Sequence, residues 1–156
     1  MSATQVIQDN LRAMRLFTDF TSDEVANFIE LADTVRVKAG EPIVRQDEPG
    51  DAMFIIVGGK ATVSHHKGGK MITLAVLDAG DFFGEIALVD QGPRSADVVA
   101  VEDCTLLKIQ ESVIHALAGV YPGAAFKLLV AVGRVMVERM RRTNQKYIDS
   151  LLIGTQ

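Results

Sequence analysis

Two short runs in the middle of the chain, Phe82-Phe83-Gly84-Glu85-Ile86-Ala87-Leu88 and Gly92-Pro93-Arg94-Ser95-Ala96, carry residue types that suit a small charged ligand. A glycine precedes an acid and a single helical turn, and a loop then returns to one arginine followed by a hydroxyl. The start of a short helix offers unpaired N–H groups at the positive end of its dipole. Arg94 can fork onto two phosphate oxygens. Glu85 would repel a bare anion, but a ligand that joins a phosphate to a neutral hydroxyl would use it, because a carboxylate accepts strongly from a sugar OH. The spacing describes an anion-plus-hydroxyl site and leaves the ligand unnamed.

Other reactive side chains give no competing constellation. His65 and His66 suggest a metal-binding barrel enzyme of the cupin kind, yet adjacent strand residues point to opposite faces and cannot share one interior. His115 falls on a helix outside the β region. No nucleophile with a base and no P-loop is visible, so the expectation is a binding protein, not an enzyme, with no cofactor beyond its ligand.

The elements that must position these residues fall into three zones. Val6, Ile7, Leu11, Met14, Leu16 and Phe17 recur at helical spacing and predict one N-terminal helix. A second helix starts at Thr21, whose partner Glu24 completes a capping box, with Phe20 and Val25 placed as a hydrophobic staple. It is predicted to run to about Ala32. Beyond it, turn pairs such as Pro49-Gly50-Asp51, Gly58-Gly59, Gly68-Gly69 and Gly80-Asp81 separate β-rich runs at 42–45, 53–57, 61–66, 71–77, 97–101 and 105–109. Many short strands at close spacing indicate an antiparallel sandwich or barrel. Helical periodicity returns at 110–118, and Pro122 stands near the start of a long helix marked by Leu129, Val132, Met136, Met140, Tyr147 and Leu151 on one face. That stripe continues past the point where a roll of this size could cover it, which favours a partner helix from a second copy over folding back onto the roll.

Composition bounds the function classes. With 156 residues, 48% apolar and 23% charged, the chain can bury a real core and is not disordered. No apolar run exceeds about six residues, against roughly 20 for a membrane span, and the N-terminus shows no secretory pattern. One cysteine, Cys104, cannot form an internal disulfide, which suits a reducing cytoplasm. The net charge of −4 lacks the basic face of a nucleic-acid binder, apart from a modest cluster at Arg139, Arg141 and Arg142.

The run G-E-I-A-L followed by P-R-S-A resembles the phosphate-binding cassette of cyclic-nucleotide-binding domains. The turns at Gly40, Pro49-Gly50-Asp51, Gly58-Gly59-Lys60 and Gly80-Asp81-Phe82-Phe83 fall where that family places them, and the likeness covers about residues 17–144. It is nearest in style to the sensor domain of bacterial catabolite activator protein-like regulators. The resemblance implies an α+β, mainly β fold: an antiparallel eight-stranded, jelly-roll-like β-roll with an inserted cassette helix, between N-terminal and C-terminal helices. The expected layout is one domain over 1–156, with helices at 1–34, the roll at 35–109, the cassette at 82–96 and helices at 110–152.

It also implies roles. Glu85 and the Gly84 backbone would hold the ribose 2′-OH, and Arg94 the exocyclic phosphate oxygens, instead of an ion pair between Arg94 and Glu85. The N–H groups of Ala87 and Ser95, beside Ala96, would approach the phosphate, while Ile86, Leu88 and the strand at 71–77 would wall sugar and base. Arg139, Arg142 and Thr143 on the C-terminal helix are the candidate lid, with a solvated helix surface as the alternative. The ligand is a cyclic nucleotide, cAMP being favoured over cGMP with Ser95 after the arginine. The expected output is a shift of the C-terminal helices read by a separate downstream protein or by dimer geometry. Relatives that bind DNA follow the long helix with a helix-turn-helix, and the chain stops at Gln156, so direct DNA binding is not expected. Asp97 stands where the family usually has an uncharged residue. Strand alternation lets it share a face with Ser95, where a carboxylate within about 7 Å would weaken phosphate binding; the other orientation faces solvent. A disabled pocket would make the chain a ligand-free scaffold.

Overall fold

The structure, a computed structural model, describes residues 2–88 and 91–154; positions 89–90 of the expected cassette and the last two residues lie outside it. The N-terminal periodicity breaks into two pieces. Helix α1 (Ala3–Arg12) ends at Ala13, and a 3-10 turn at Arg15–Phe17 follows. A continuous helix would place Leu16 about 140° around from Leu11, yet both are buried. The break turns Leu16 and Phe17 into the same core as Leu11 and Met14. Helix α2 (Ser22–Leu31) starts as expected: the Thr21 hydroxyl accepts from Glu24 N–H at 3.1 Å, and the Glu24 carboxylate accepts from Thr21 N–H at 3.0 Å.

Ten strands follow among the described residues, against the eight expected. One sheet pairs β1 (Asp33–Val37), β10 (Cys104–Gln110), β4 (Ala52–Gly58) and β7 (Phe82–Phe83) in that order. The other pairs β2 (Pro42–Val44), β9 (Asp97–Ala100), β5 (Lys60–Lys67) and β6 (Lys70–Asp78). A two-residue bridge joins β3 (Pro49–Gly50) to β8 (Gly92–Pro93). All pairings are antiparallel. The excess over eight comes from pairs so short that the sequence reads them as turns.

Strand β4 explains the architecture. Its run Ala52–Gly58 is apolar throughout because both faces are covered. Met53, Ile55 and Val57 join the cluster beneath the helices, whereas Ala52, Phe54 and Ile56 face the space between the sheets. Alternation at period two thus serves two cores at once. Leu107 and Ile109 of β10 repeat the first choice and Leu106 the second.

The C-terminal helices are α3 (Glu111–Val120) and α4 (Pro122–Gly154). The stripe expected on α4 divides. Val132 is buried, with Leu128 and Ala125, and Met136 packs against the same core, while Leu129, Met140, Tyr147 and Leu151 are exposed. Residues 141–154 are all exposed. The proximal half is held to the N-terminal segment by three ion pairs: Lys127–Glu24 at 2.6 Å, Arg134–Asp19 at 3.3 Å and Arg15–Glu138. No helix of the described residues is long and apolar enough to cross a membrane.

Candidate ligand site

Strand β7 ends at Phe83, and the chain turns through Gly84 into a 3-10 turn at Glu85–Leu88. Gly84 sits at φ 76°, in the left-handed region that side chains avoid. A Cβ there would also meet Arg94 Nη1 at 2.6 Å and the Ala52 carbonyl at 2.9 Å. Gly50, at the end of β3, leaves the room through which the Arg94 side chain passes, since a Cβ on it would overlap the guanidinium. Two glycines from separate loops therefore clear the path of one arginine.

Arg94 is fixed at both ends. Its N–H donates to Glu48 O at 2.8 Å, and its carbonyl accepts from Asp47 N–H at 2.8 Å. At the far end Nη2 donates to Ala52 O at 2.7 Å and Nη1 to Gly84 O at 3.5 Å, with the guanidinium 5.9 Å from the Phe54 ring centre. Burial pushes its pKa down, and the charges of Asp51 and Glu85 oppose that shift. A desolvated guanidinium held by carbonyl oxygens is a strong site for an anion, which it can bind bidentately.

Glu85 does not pair with Arg94. Its Oε1 accepts from Arg139 Nη1 at 3.2 Å, while Arg139 Nη2 donates to Phe82 O at 3.0 Å and the guanidinium lies 4.7 Å from the Phe82 ring centre. Arg139 thus ties helix α4 to the cassette's acid. Glu85 and Arg94 line a common cavity of about 460 Å³ with Arg139, Ser95 and Ala96. Its walls are apolar: Val44, Val63, Ala75, Leu77 and Val98 come from the second sheet, and Phe82 and Phe83 from the first. This is the size and character of a small-molecule site, with a few polar groups set in an apolar cleft.

Residues 34–120 match the cyclic nucleotide-binding domain family. The chain belongs to that family. It is 33% identical over 129 residues to the Cyclic AMP receptor protein of Thermus thermophilus, covering 82% of this chain and 60% of that one. The regulatory domain of Toxoplasma gondii PKA, solved with cAMP, matches with a TM-score of 0.68 and 25% identity, over 84% of this chain and 49% of that one. A cyclic nucleotide-binding domain from Methylobacillus flagellatus shares the fold with a TM-score of 0.82 at 22% identity, over 94% of this chain and 83% of that one. The chain spans about 60% of the length of the receptor protein.

Within this cyclic nucleotide-binding fold, most of the expected site residues converge. Gly84, Glu85, Ile86, Ala87, Arg94, Ser95 and Ala96 all line the cavity, Ile86 at its mouth with 56% of its surface exposed. Leu88 does not; it is buried in the core beneath the helices. The Ala87 N–H is already used inside the turn, donating to Gly84 O at 3.2 Å. Of the strand at 71–77, Ala75 and Leu77 form wall, whereas Met71 points to solvent. Among the lid candidates Arg139 alone lines this cavity. Arg142 faces a smaller adjoining one with Arg15 and Glu138, and the Thr143 hydroxyl bonds back to Arg139 O at 3.0 Å, one turn up the helix.

Of the two orientations open to Asp97, the structure has the one turned away from the cavity. The strand begins only at Asp97, so Ser95 and Ala96 lie in a bend where alternation does not apply. Val98 faces inward and Asp97 outward, towards Gln46 and His66. The two histidines also part company: His66 meets Asp97, while His65 Nδ1 donates to the Ser95 carbonyl at 2.8 Å. Sequence reasoning missed Ala52, Phe54 and Gly50 around Arg94. A carbonyl or an aromatic face belongs to too many residues to signal itself, although the Gly50 position in Pro49-Gly50-Asp51 was visible as a turn.

Proposed function

We propose that this chain is a regulatory cyclic-nucleotide sensor acting in the cytoplasm, with cAMP preferred to cGMP, that signals through the position of α4. One observation carries the reading: Glu85 and the buried Arg94 guanidinium line one apolar cavity, the pairing required by a ligand with a sugar hydroxyl and a phosphate. The similarity to a receptor named for cyclic AMP supports the choice of nucleotide. Arg139 supplies the link to output. It occupies one oxygen of Glu85, so a ribose hydroxyl arriving at that carboxylate changes the contact that ties α4 to the cassette. A ligand shifts such an equilibrium only by its differential affinity for the two helix positions. The exposed residues Phe126, Val137, Met140, Tyr147 and Leu151 recur on α4 at near-heptad spacing and suit a parallel partner helix from a second copy.

A second reading has an observation of its own. Arg94 and Glu85 are both satisfied by protein atoms, Ala52 O and Arg139, as they would be in a ligand-free scaffold. Calorimetric titration with cAMP and cGMP separates the two. The sensor reading expects micromolar or tighter binding of one nucleotide, weakened about 100-fold or more in Arg94→Ala through loss of two charge-assisted hydrogen bonds. No heat with either nucleotide would leave the scaffold standing.

A further inference from the structure

Asp97 opens β9 between Ala96 and Val98, both of which line the cavity, and sends its own carboxylate the other way. Oδ1 accepts from the Gln46 N–H at 2.7 Å, and Oδ2 is bonded to His66 Nε2. The Gln46 side chain closes the figure: its Oε1 accepts from His66 N–H at 2.9 Å, and its Nε2 donates to His66 O at 2.9 Å. Three residues, from a loop, from β5 and from β9, form a ring in which each is bonded to the other two: Asp97 and His66 through their side chains, Asp97 to the Gln46 backbone, and the Gln46 amide to the His66 backbone. The carboxylate is only 16% exposed, so these bonds are sheltered from competing water.

The loop this ring grips is the one that holds Arg94. Asp47, the residue after Gln46, gives its N–H to Arg94 O, and Glu48 takes the Arg94 N–H. The next two residues, Pro49 and Gly50, pair with Pro93 and Gly92. Asp47 stands at φ 69°, in the left-handed region, a strained conformation for a non-glycine residue that persists where its surroundings hold it. We propose that the Asp97–His66–Gln46 ring is a positioning device for Arg94: it fixes the 46–50 loop, the loop fixes the Arg94 backbone, and the backbone aims the guanidinium. This rests on the reading that Arg94 receives the cyclic phosphate. It reverses the effect expected from charge alone, in which a carboxylate near the site opposes phosphate binding.

The test is a double-mutant cycle on cAMP affinity, with NMR titration where binding is weak. Asp97→Ala and, at a half-exposed site that threatens folding less, His66→Ala are each combined with Arg94→Ala. The ring predicts a loss of about tenfold for either variant in the presence of Arg94, the size of one charge-assisted hydrogen bond, and almost none once Arg94 is gone. A rise in affinity in Asp97→Ala or Asp97→Asn would show that repulsion dominates and overturn the proposal. So would a loss that persists undiminished beside Arg94→Ala, since that marks a general loosening of the pocket. If Arg94→Ala itself weakens binding while neither ring variant does, the ring is wrong and the site stands. If Arg94→Ala changes nothing, or the wild-type chain does not bind, the site reading falls and the ring with it.

Discussion

Gly84 answers to two constraints that a single methyl group would violate together. Its positive φ costs any other residue about 1–3 kcal/mol, and an added Cβ would displace both Arg94 Nη1 and the Ala52 carbonyl that holds the same guanidinium. Gly84→Ala is expected to lower cyclic-nucleotide affinity at least tenfold by calorimetry. Gly58→Ala, at a glycine with open space around it and ordinary φ, is expected to leave it unchanged. At this scale the sequence is legible where a residue type is itself rare and reactive. Glu85 and Arg94 stand out because they fall in the run G-E-I-A-L followed by P-R-S-A, where acid, helical turn and arginine come at the cassette's spacing. The orientation of Asp97 is not legible, because alternation cannot be carried back through Ser95 into a bend and no property of the residue announces where a strand begins. Its partner Gln46 has no visible signal at all, since an amide in a turn is ordinary.

At the scale of elements, α4 changes its surroundings along its length: its proximal half is paired to the N-terminal segment, Arg139 reaches the cassette, and residues 141–154 are exposed. A spin label at Gln145→Cys tests both proposals made for this helix. Cys104 need not be replaced, because it is buried, and burial raises its pKa and keeps it a thiol. Pairing of two copies through α4 predicts a defined label-to-label distance by double electron–electron resonance, and nucleotide is expected to shift it. The absence of any dipolar signal would reject pairing, and an unmoved distance would reject helix repositioning. Elements bounded by turn chemistry were legible: β4, β5, β6 and β10 appear within a few residues of their expected positions, and the Thr21 capping box starts α2 as read. Strand β1 is not legible, because α2 passes into it through Ala32, without glycine or proline, and its side chains alternate only weakly in burial. The α4 stripe was read as one face because helical spacing alone does not say which of two neighbouring stripes finds a core.

For the molecule as a whole, two of the ion pairs between α4 and the N-terminal segment, Lys127–Glu24 and Arg15–Glu138, make stability depend on pH in a definite sense. The Lys127 ammonium, and then the Thr21 N–H, hold the Glu24 carboxyl below its ordinary value of 4.5. The Arg15 guanidinium lowers Glu138 in the same way. A carboxyl whose folded pKa is depressed contributes stability that is fully present above its unfolded value and is lost as pH falls through the folded one. The melting temperature is therefore expected to hold steady from neutral pH down to the ordinary carboxylate range and to drop below it. Glu24→Gln keeps the capping geometry, is expected to cost about 1 kcal/mol or less at neutral pH, and should flatten the acid limb; an unchanged limb would mean the pair contributes nothing. The same contacts have a mechanical consequence. Glu138 and Arg139 are consecutive, one hooked to the N-terminal segment and the other to the cassette, so they act as the fulcrum of a beam. From Arg139 to Gly154 the distal arm is about 22 Å long at 1.5 Å per residue. A tilt of about 10° at the fulcrum would swing its tip by nearly 4 Å, on the order of one helical turn's rise. On the proposed mechanism, a rearrangement of a single carboxylate's partners would thereby be magnified into a displacement large enough for another protein to feel.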